Sequence, residues 1–276
     1  MHHVGRLSET PVDNGVYEGH HTGLSRYPLV GREHGSPHQT MTVAELAPGG
    51  AVDRHAHAFE EGIYVLEGQV VLSVAGASEE LGPDDHCWIE VGVPHALTSA
   101  SDGPVRWFEV CAPQPRPEIG DTVFVDEAWQ GSQPELPYRL LHFDLASLPE
   151  PSGSILAGFA AANVQGASLE VLMRPDRGAS QFNLMHLRYV EGGLIREHDH
   201  AFEEGFFFLE GEIEALLDGE TYTLRAGDYC WSSVGGMHAL TNRTDAPVRW
   251  LETQVPQPPA RHQARFKGDW QRLVSG

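Results

Sequence analysis

The chain is almost without lysine: Lys267, near the end of the 276 residues, is the only one. A lysine Schiff base or a phosphate-loop lysine is therefore excluded from any internal site. Positive charge is scarce overall, with 18 Lys+Arg against 39 Asp+Glu and a formal net charge of −21. Such a surface repels phosphate backbones and anionic lipid, so neither nucleic acid nor membrane is an expected partner. Cysteine is also sparse: three residues, an odd number, do not make a disulfide framework. No signal peptide and no apolar run long enough to span a bilayer is legible, and a reducing, cytoplasmic compartment is the expectation. Cys87 and Cys230 sit beside Trp88 and Trp231, which reads as packing rather than thiol chemistry.

What the chain has is glycine and proline, 30 and 19, with 41% hydrophobic residues. That balance fits a turn-rich all-β fold with enough apolar material for one large or two small cores. Two cores are indicated by a repeat with an offset of 143 residues. Thr40–Leu46 aligns with Asn183–Tyr189, Leu66-Glu67-Gly68 with Leu209-Glu210-Gly211, Cys87-Trp88 with Cys230-Trp231, and Pro104–Trp107 with Pro247–Trp250. A unit this long duplicated in tandem predicts two domains, 1–118 and 119–276, rather than a solenoid. Thr40–Leu46 and Asn183–Tyr189 read as strands, followed by turns at Gly49-Gly50 and Gly192-Gly193. Gly62–Leu66 and Val70–Val74 read as strands, as do Gly205–Leu209 and Ile213–Leu217, and Asp218-Gly219 reads as a tight hairpin. The pattern over Ser154–Asn163 fits either a helix or two short strands.

The repeat carries chemistry. His55, His57, Glu61 and His95 recur as His198, His200, Glu204 and His238 at identical spacing. Side chains on a strand alternate faces, and His55, His57 and Glu61 share parity, as do His198, His200 and Glu204. One face of an extended segment can thus present two imidazoles and a carboxylate, with the later histidine closing the site. Three nitrogens and one oxygen suit Mn, Fe, Ni, Cu or Zn, one divalent ion per domain, with a place left open for substrate or O₂. A group of hydrogen-bonded structural histidines is the plainer reading, and two matched sets at one offset argue against it.

These residues resemble the cupin superfamily, and within it the two-domain bicupins. The first family motif is met by Gly49, His55, His57, Glu61 and Gly68, and again by Gly192, His198, His200, Glu204 and Gly211. The second is met by Gly92 and His95, then Gly235 and His238, with Glu90 and Ser233 where the motif has proline. The resemblance implies two tandem double-stranded β-helix, jelly-roll-like barrels. It leaves the reaction open, because cupins include dioxygenases, decarboxylases, isomerases, lyases and binders. Similarity to quercetinase-type bicupins implies a dioxygenase acting on an enol, catechol or hydroxy acid, with Glu204 and Glu61 as the catalytic carboxylates. Similarity in length and in Gly227–Trp231 to (S)-ureidoglycine aminohydrolase implies instead a Mn- or Zn-dependent non-redox enzyme. That group's second-domain ligands are Glu, His, His and Gln, which differ from His198, His200, Glu204 and His238. A non-catalytic binding bicupin ranks third. A small molecule is the expected partner, and a homo-oligomer is compatible with the resemblance.

Parity carried past Glu204 reaches Phe206 and Phe208, against Ile63 and Val65 in the first half, so the second pocket is expected to be the more aromatic. Ordinary barrel core is the competing reading of both rings. Asn183 and His186 stand where the first half has Thr40 and Val43, and either is a candidate to face substrate, with an edge or surface position as the competing reading. Glu60 and Glu203 have the opposite parity to the ligands and should face away. Glu109 and Glu252 are candidates to hydrogen-bond a ligand imidazole.

Overall fold

The computed structural model describes residues 1–74, 76–125, 138–141, 143–151, 163–259 and 264–268. The stretch 154–162, for which helix and strands compete, lies outside them. The strands are β1 (His2–Arg6), β2 (His21–Val30), β3 (Thr40–His57), β4 (Glu60–Glu67), β5 (Val70–Val74), β6 (Ala77–Leu81), β7 (His86–Ile89), β8 (His95–Ser99), β9 (Val105–Ala112), β10 (Thr122–Phe124) and β11 (Tyr138–Leu141). They continue as β12 (Val164–Met173), β13 (Asn183–Asp199), β14 (Glu203–Glu210), β15 (Glu212–Leu217), β16 (Glu220–Arg225), β17 (Asp228–Ser232), β18 (His238–Thr241), β19 (Val248–Val255) and β20 (Arg265–Phe266). No helix among the described residues is long and apolar enough to cross a membrane, which says nothing of a β-barrel.

Two ten-stranded antiparallel sheets result, each curled into a barrel of jelly-roll type. The first runs β11-β7-β4-β9-β3-β8-β5-β6 with β2 and β10 added to β3; the second runs β1-β17-β14-β19-β13-β18-β15-β16 with β12 and β20 added to β13. The order of the six inner strands is the same in both, as the repeat requires. The compact units do not divide at 118/119. One comprises Thr10–Leu145 with Met173–Gln181, the other Met1–Glu9, Ala146–Leu172 and Phe182–Gly276. The exchange of the N-terminus has a direct cause: β1 is a strand of the second sheet, with His2 opposite Ser232 and Arg6 opposite Asp228.

The glycine pairs bend a strand rather than end it. β3 pairs with β9 through Leu46 and with β8 from Ala51 onward, so it passes between sheet neighbours at Gly49-Gly50. Gly49 is at φ 70°, and a Cβ on Gly50 would meet Thr22 O at 2.7 Å. Asp218 (φ 48°) and Gly219 (φ 90°) make the expected hairpin between β15 and β16. Ile63, Val65, Leu72 and Trp107 fill the first barrel; Phe206, Phe208, Leu217 and Trp250 fill the second.

Candidate metal centres

In each half the motif spans two strands, not one extended segment. His55 and His57 end β3, whereas Glu61 lies on β4, and Ala58-Phe59 breaks the run. The break follows from pairing: the end of β3 is bound to β8 and β10, while β4 is bound to β7 and β9. In the second half His198 is on β13, His200 follows it, and Glu204 is on β14. The last histidine is brought in by register. His95 is the Cα partner of His55, and His238 that of His198.

All eight side chains are buried. The ligand atoms of His198, His200, Glu204 and His238 lie within 4.8 Å of one another. In the first half the same limit holds His55, His57 and His95. Glu61 stands at one side of that triad, 2.9 Å from His95 Nε2 and 3.7 Å from His57 Nε2 through Oε2.

Four of the six imidazoles are tied identically. His55, His95, His198 and His238 donate Nδ1–H to the carbonyls of Asp53, Val93, Arg196 and Gly236, two residues earlier, at 2.7–3.0 Å. A carbonyl only accepts, so the proton is on Nδ1 and the lone pair of Nε2 points into the site. Nε2 of His95 then faces Oε2 of Glu61 at 2.9 Å, and Nε2 of His238 faces Oε2 of Glu204 at 2.9 Å. Two buried acceptors at that distance repel unless a cation, either a metal ion or a second ring proton, lies between them. The donor set therefore fits a divalent ion of the borderline series.

The electrostatics agree. Burial pushes the basicity of His55 and His198 well below the usual imidazole range, helped in each case by neighbouring ring charges. His57 is pushed down to about 3, again chiefly by burial, although Glu61 opposes this. Burial alone would raise Glu61 and Glu204, but the surrounding imidazoles outweigh it and both stay below the ordinary carboxylate range. His95 is raised, since Glu61 overcomes the cost of burial. Neutral His55, His57 and His198 beside an ionised carboxylate are in the states a metal needs, whereas His95 is the ring that holds a proton against Glu61 when no cation lies between them.

Aromatic rings hold the imidazoles in place. Phe59 stacks on His57 at 4.3 Å and Phe202 on His200 at 4.6 Å. Phe124 of β10 lies opposite His55, and Phe266 of β20 lies opposite His198. The sequence reading missed this pair. Its signal was a phenylalanine shortly before a tryptophan in both tails, Phe124 before Trp129 and Phe266 before Trp270. It also missed Thr122, whose Oγ1 lies 3.1 Å from His57 Nδ1, and Tyr17, whose hydroxyl lies 3.4 Å from His57 Nε2.

The two centres differ in what surrounds the carboxylate. Gln254 Nε2 donates to Glu204 Oε1 at 2.9 Å, Asn183 Nδ2 donates to Gln254 Oε1 at 3.3 Å, and Gln257 Nε2 donates to Asn183 Oδ1 at 2.9 Å. Asn183 is thus the middle of an amide chain that ends on Glu204. The matching residues of the first half are Cys111, Thr40 and Gln114. There Gln114 turns away to the carbonyls of Ser36 and Gln39.

Glu109 and Glu252 do not bond to imidazoles. Glu109 pairs with Arg26, and Glu252 accepts from Trp250 Nε1 at 3.1 Å. Burial drives Glu252 well above the carboxylate range; burial raises Glu109 too, with Arg26 pulling against it. Phe206 sets its ring against His238, centroids 6.0 Å apart, and Phe208 packs on Trp250 at 6.1 Å within the core. Glu60 and Glu203 point away, to Ser180 and Gln181 and to Trp231 respectively. Cys87 and Cys230 are buried, and burial raises both thiols, as packing residues require.

A family model for the cupin domain matches residues 42–111 and again residues 185–253. Over 78 residues the chain is 35% identical to the tetracenomycin polyketide synthase protein TcmJ of Streptomyces glaucescens, covering 28% of this chain and 52% of that protein. Over 103 residues it is 31% identical to the polyketide synthase CurC of Streptomyces cyaneus, covering 36% and 67%. The matched region spans about half the length of TcmJ. Among solved structures, the Lactobacillus farciminis oxalate decarboxylase formate complex superposes with a TM-score of 0.70 at 15% identity, over 99% of this chain and 92% of that one. A Bacillus subtilis oxalate decarboxylase gives 0.67 at 16%, over 99% and 82%. At such identity the likeness is one of fold. The doubled match, the two barrels and the repeated motif together establish that the chain belongs to the cupin family, as a two-domain bicupin.

Proposed function

We propose that this bicupin is a metal-dependent enzyme acting on a small oxygenated substrate of enol, catechol or hydroxy-acid type, with oxygenase chemistry as the leading reading. The observation that carries it is the buried His198, His200, Glu204 and His238 cluster, matched in the first half by the His55, His57 and His95 triad with Glu61 Oε2 2.9 Å from His95 Nε2. His55, His57, Glu61 and His95 would hold one ion, and His198, His200, Glu204 and His238 the other. A bound divalent ion supplies a Lewis acid for a substrate oxygen and, where redox-active, a position for O₂. The chain's own residues do the rest. Backbone carbonyls fix the tautomers of His55, His95, His198 and His238, Phe59, Phe124, Phe202 and Phe266 pack against the imidazoles, and Glu61 or Glu204 takes the substrate proton as general base. Curated relatives named for polyketide synthesis support an enolic or phenolic substrate.

A second reading is a non-redox lyase, hydrolase or isomerase using Mn(II) or Zn(II). It is supported by fold likeness to oxalate decarboxylases, including a Bacillus subtilis enzyme with Mn(II) centres. Three free, buried cysteines suit a reducing cytoplasm under either reading.

The test has two stages. Elemental analysis of protein purified without added metal is expected to give two equivalents for wild type and one for each of His55→Ala and His198→Ala. O₂ uptake on a phenolic and β-dicarbonyl panel then supports the oxygenase, whereas turnover under strict anaerobiosis with Mn(II) or Zn(II) replaces it with the second reading. A wild type that takes up no metal on reconstitution defeats both.

A further inference from the structure

The first unit contains a cavity of about 310 Å³, lined by residues between Asp13 and Thr122. That is the lower end of the range for small-molecule sites. A much smaller void of about 10 Å³ lies deeper and touches His55 and Glu61. Tyr17, Arg26 and Glu109 line both spaces. These three side chains are therefore the partition between the outer cavity and the His/Glu set.

We propose that this cavity binds a small organic anion, a carboxylate or enolate with a compact apolar body, and that Arg26 is its anchor. The inference deepens the proposed function by naming the substrate class, and it rests on that reading only in calling the adjacent set a reaction centre.

Arg26 is unusual in this chain. Its side chain is only 13% exposed, in a protein whose net charge is −21. Its guanidinium carbon lies 4.4 Å over the Tyr17 ring, and Nη2 pairs with Glu109 Oε1. Among the described residues that is the one side-chain hydrogen bond of the guanidinium, so Nε and Nη1 keep donors for a planar oxyanion. Of the other charged residues lining the cavity, Asp13 accepts from Gly15 N, Asp121 accepts from Arg116 N, and Glu33 lies against His34, while Arg32 and Glu118 are exposed to solvent. Val30, Phe59 and Pro117 supply an apolar wall.

The second half lacks this device. Gly23 (φ 68°) and Gly166 (φ 64°) keep the 143-residue offset; a Cβ on Gly23 would lie 3.0 Å from Ala47 Cβ, and one on Gly166 2.8 Å from Gly193 Cα. The same offset puts Leu169 opposite Arg26, while Glu252 remains opposite Glu109. Anion selection is thereby assigned to the first unit.

The test is calorimetric titration of the full chain with benzoate, and with benzamide as an uncharged match. Wild type is expected to bind benzoate and to discriminate against benzamide. Arg26→Gln should weaken benzoate by about tenfold or more, with Arg26→Lys intermediate. Glu109→Gln should tighten it several-fold, because the internal carboxylate no longer competes for the guanidinium. Opposite signs from the two partners of one ion pair are not what loss of packing produces. The charge-neutral double variant Arg26→Gln/Glu109→Gln, checked by thermal unfolding, supplies a folded reference in which benzoate remains weak. Unchanged benzoate affinity in Arg26→Gln and in the double variant overturns the proposal, as does equal binding of benzamide or no benzoate binding by wild type at about 10 mM. Metal content of His55→Ala is measured alongside. Unaltered metal content with Arg26-dependent benzoate binding sinks the metal reading of the first centre and leaves the anion site standing.

Discussion

Gln254 holds Glu204: its amide nitrogen donates to the Oε1 oxygen at 2.9 Å, leaving Oε2 toward His200 and His238 at 3.2 and 2.9 Å. The contact exists only in the second half, because the matching residue is Cys111. It fixes which carboxylate oxygen faces the imidazoles, a task usual for residues just outside a metal's ligand set.

Gln254→Leu should therefore weaken metal binding at the second centre by about 10- to 100-fold, the usual cost of losing such a partner. The first centre should be unaffected. Competition with a chromophoric chelator, in a His55→Ala background that isolates the second centre, reads this directly. Affinity within about twofold of the parent would show that the amide does not orient Glu204.

Metal should stabilise the fold in two increments. Each ion that binds only the folded state adds about 2.7 kcal/mol at a free concentration about 100 times its Kd. Unfolding midpoints followed by circular dichroism should rise on adding Mn(II) or Zn(II) and fall with EDTA. His198→Ala should remove one increment and keep the other.

His186 gives a pH dependence separable from the ligands. It is fully buried, and its pKa is pushed down to about 3 by burial, with Arg249 and Arg188 adding to the effect. The unfolded chain takes up this proton near pH 6.5 and the folded chain does not. Between these values falling pH therefore favours unfolding, by up to about 1.4 kcal/mol per pH unit, with no contribution above about pH 6.5. Relative to wild type, His186→Val, which copies Val43 of the first half, should gain roughly 2 kcal/mol between pH 7 and pH 5 in urea unfolding. A difference that stays flat across this range excludes a neutral buried imidazole at 186.

Two glycines at similar φ should respond differently to alanine. Gly219 (φ 90°) has open space around its missing Cβ, whereas a Cβ on Gly211 (φ 80°) would sit 2.4 Å from Pro247 O. Gly219→Ala should cost roughly 1–2 kcal/mol for the left-handed backbone alone. Gly211→Ala should cost a further 1–3 kcal/mol or so for forced displacement of β-sheet backbone. Chemical denaturation of the two variants checks the ranking.

Much of the site was legible because it is repeated. Ligand identity, spacing and the Asp218-Gly219 hairpin are local properties of the chain, and duplication separates them from coincidence. The errors have one cause. Parity along a strand says which face a side chain takes but not where the strand changes partners. Gly49-Gly50 therefore read as a turn, and His55–Glu61 as a single segment. Arg26, Tyr17 and Thr122 escaped notice because each reaches the first centre from a strand or loop distant in sequence, with no counterpart at the 143-residue offset to mark it.

The sequence by itself determined a doubled all-β architecture and the eight ligand candidates, since these follow from residue type and period, and its resemblance to the cupins supplied the jelly-roll form of each barrel. Only the tertiary structure decided which ring nitrogen faces inward, that β1 belongs to the second barrel, and that Arg26 and Glu109 partition a cavity from one centre while Gln254 clamps the other. Those outcomes depend on register between strands far apart in the chain, and register is set by the packing of the whole sheet rather than by any local run of residues.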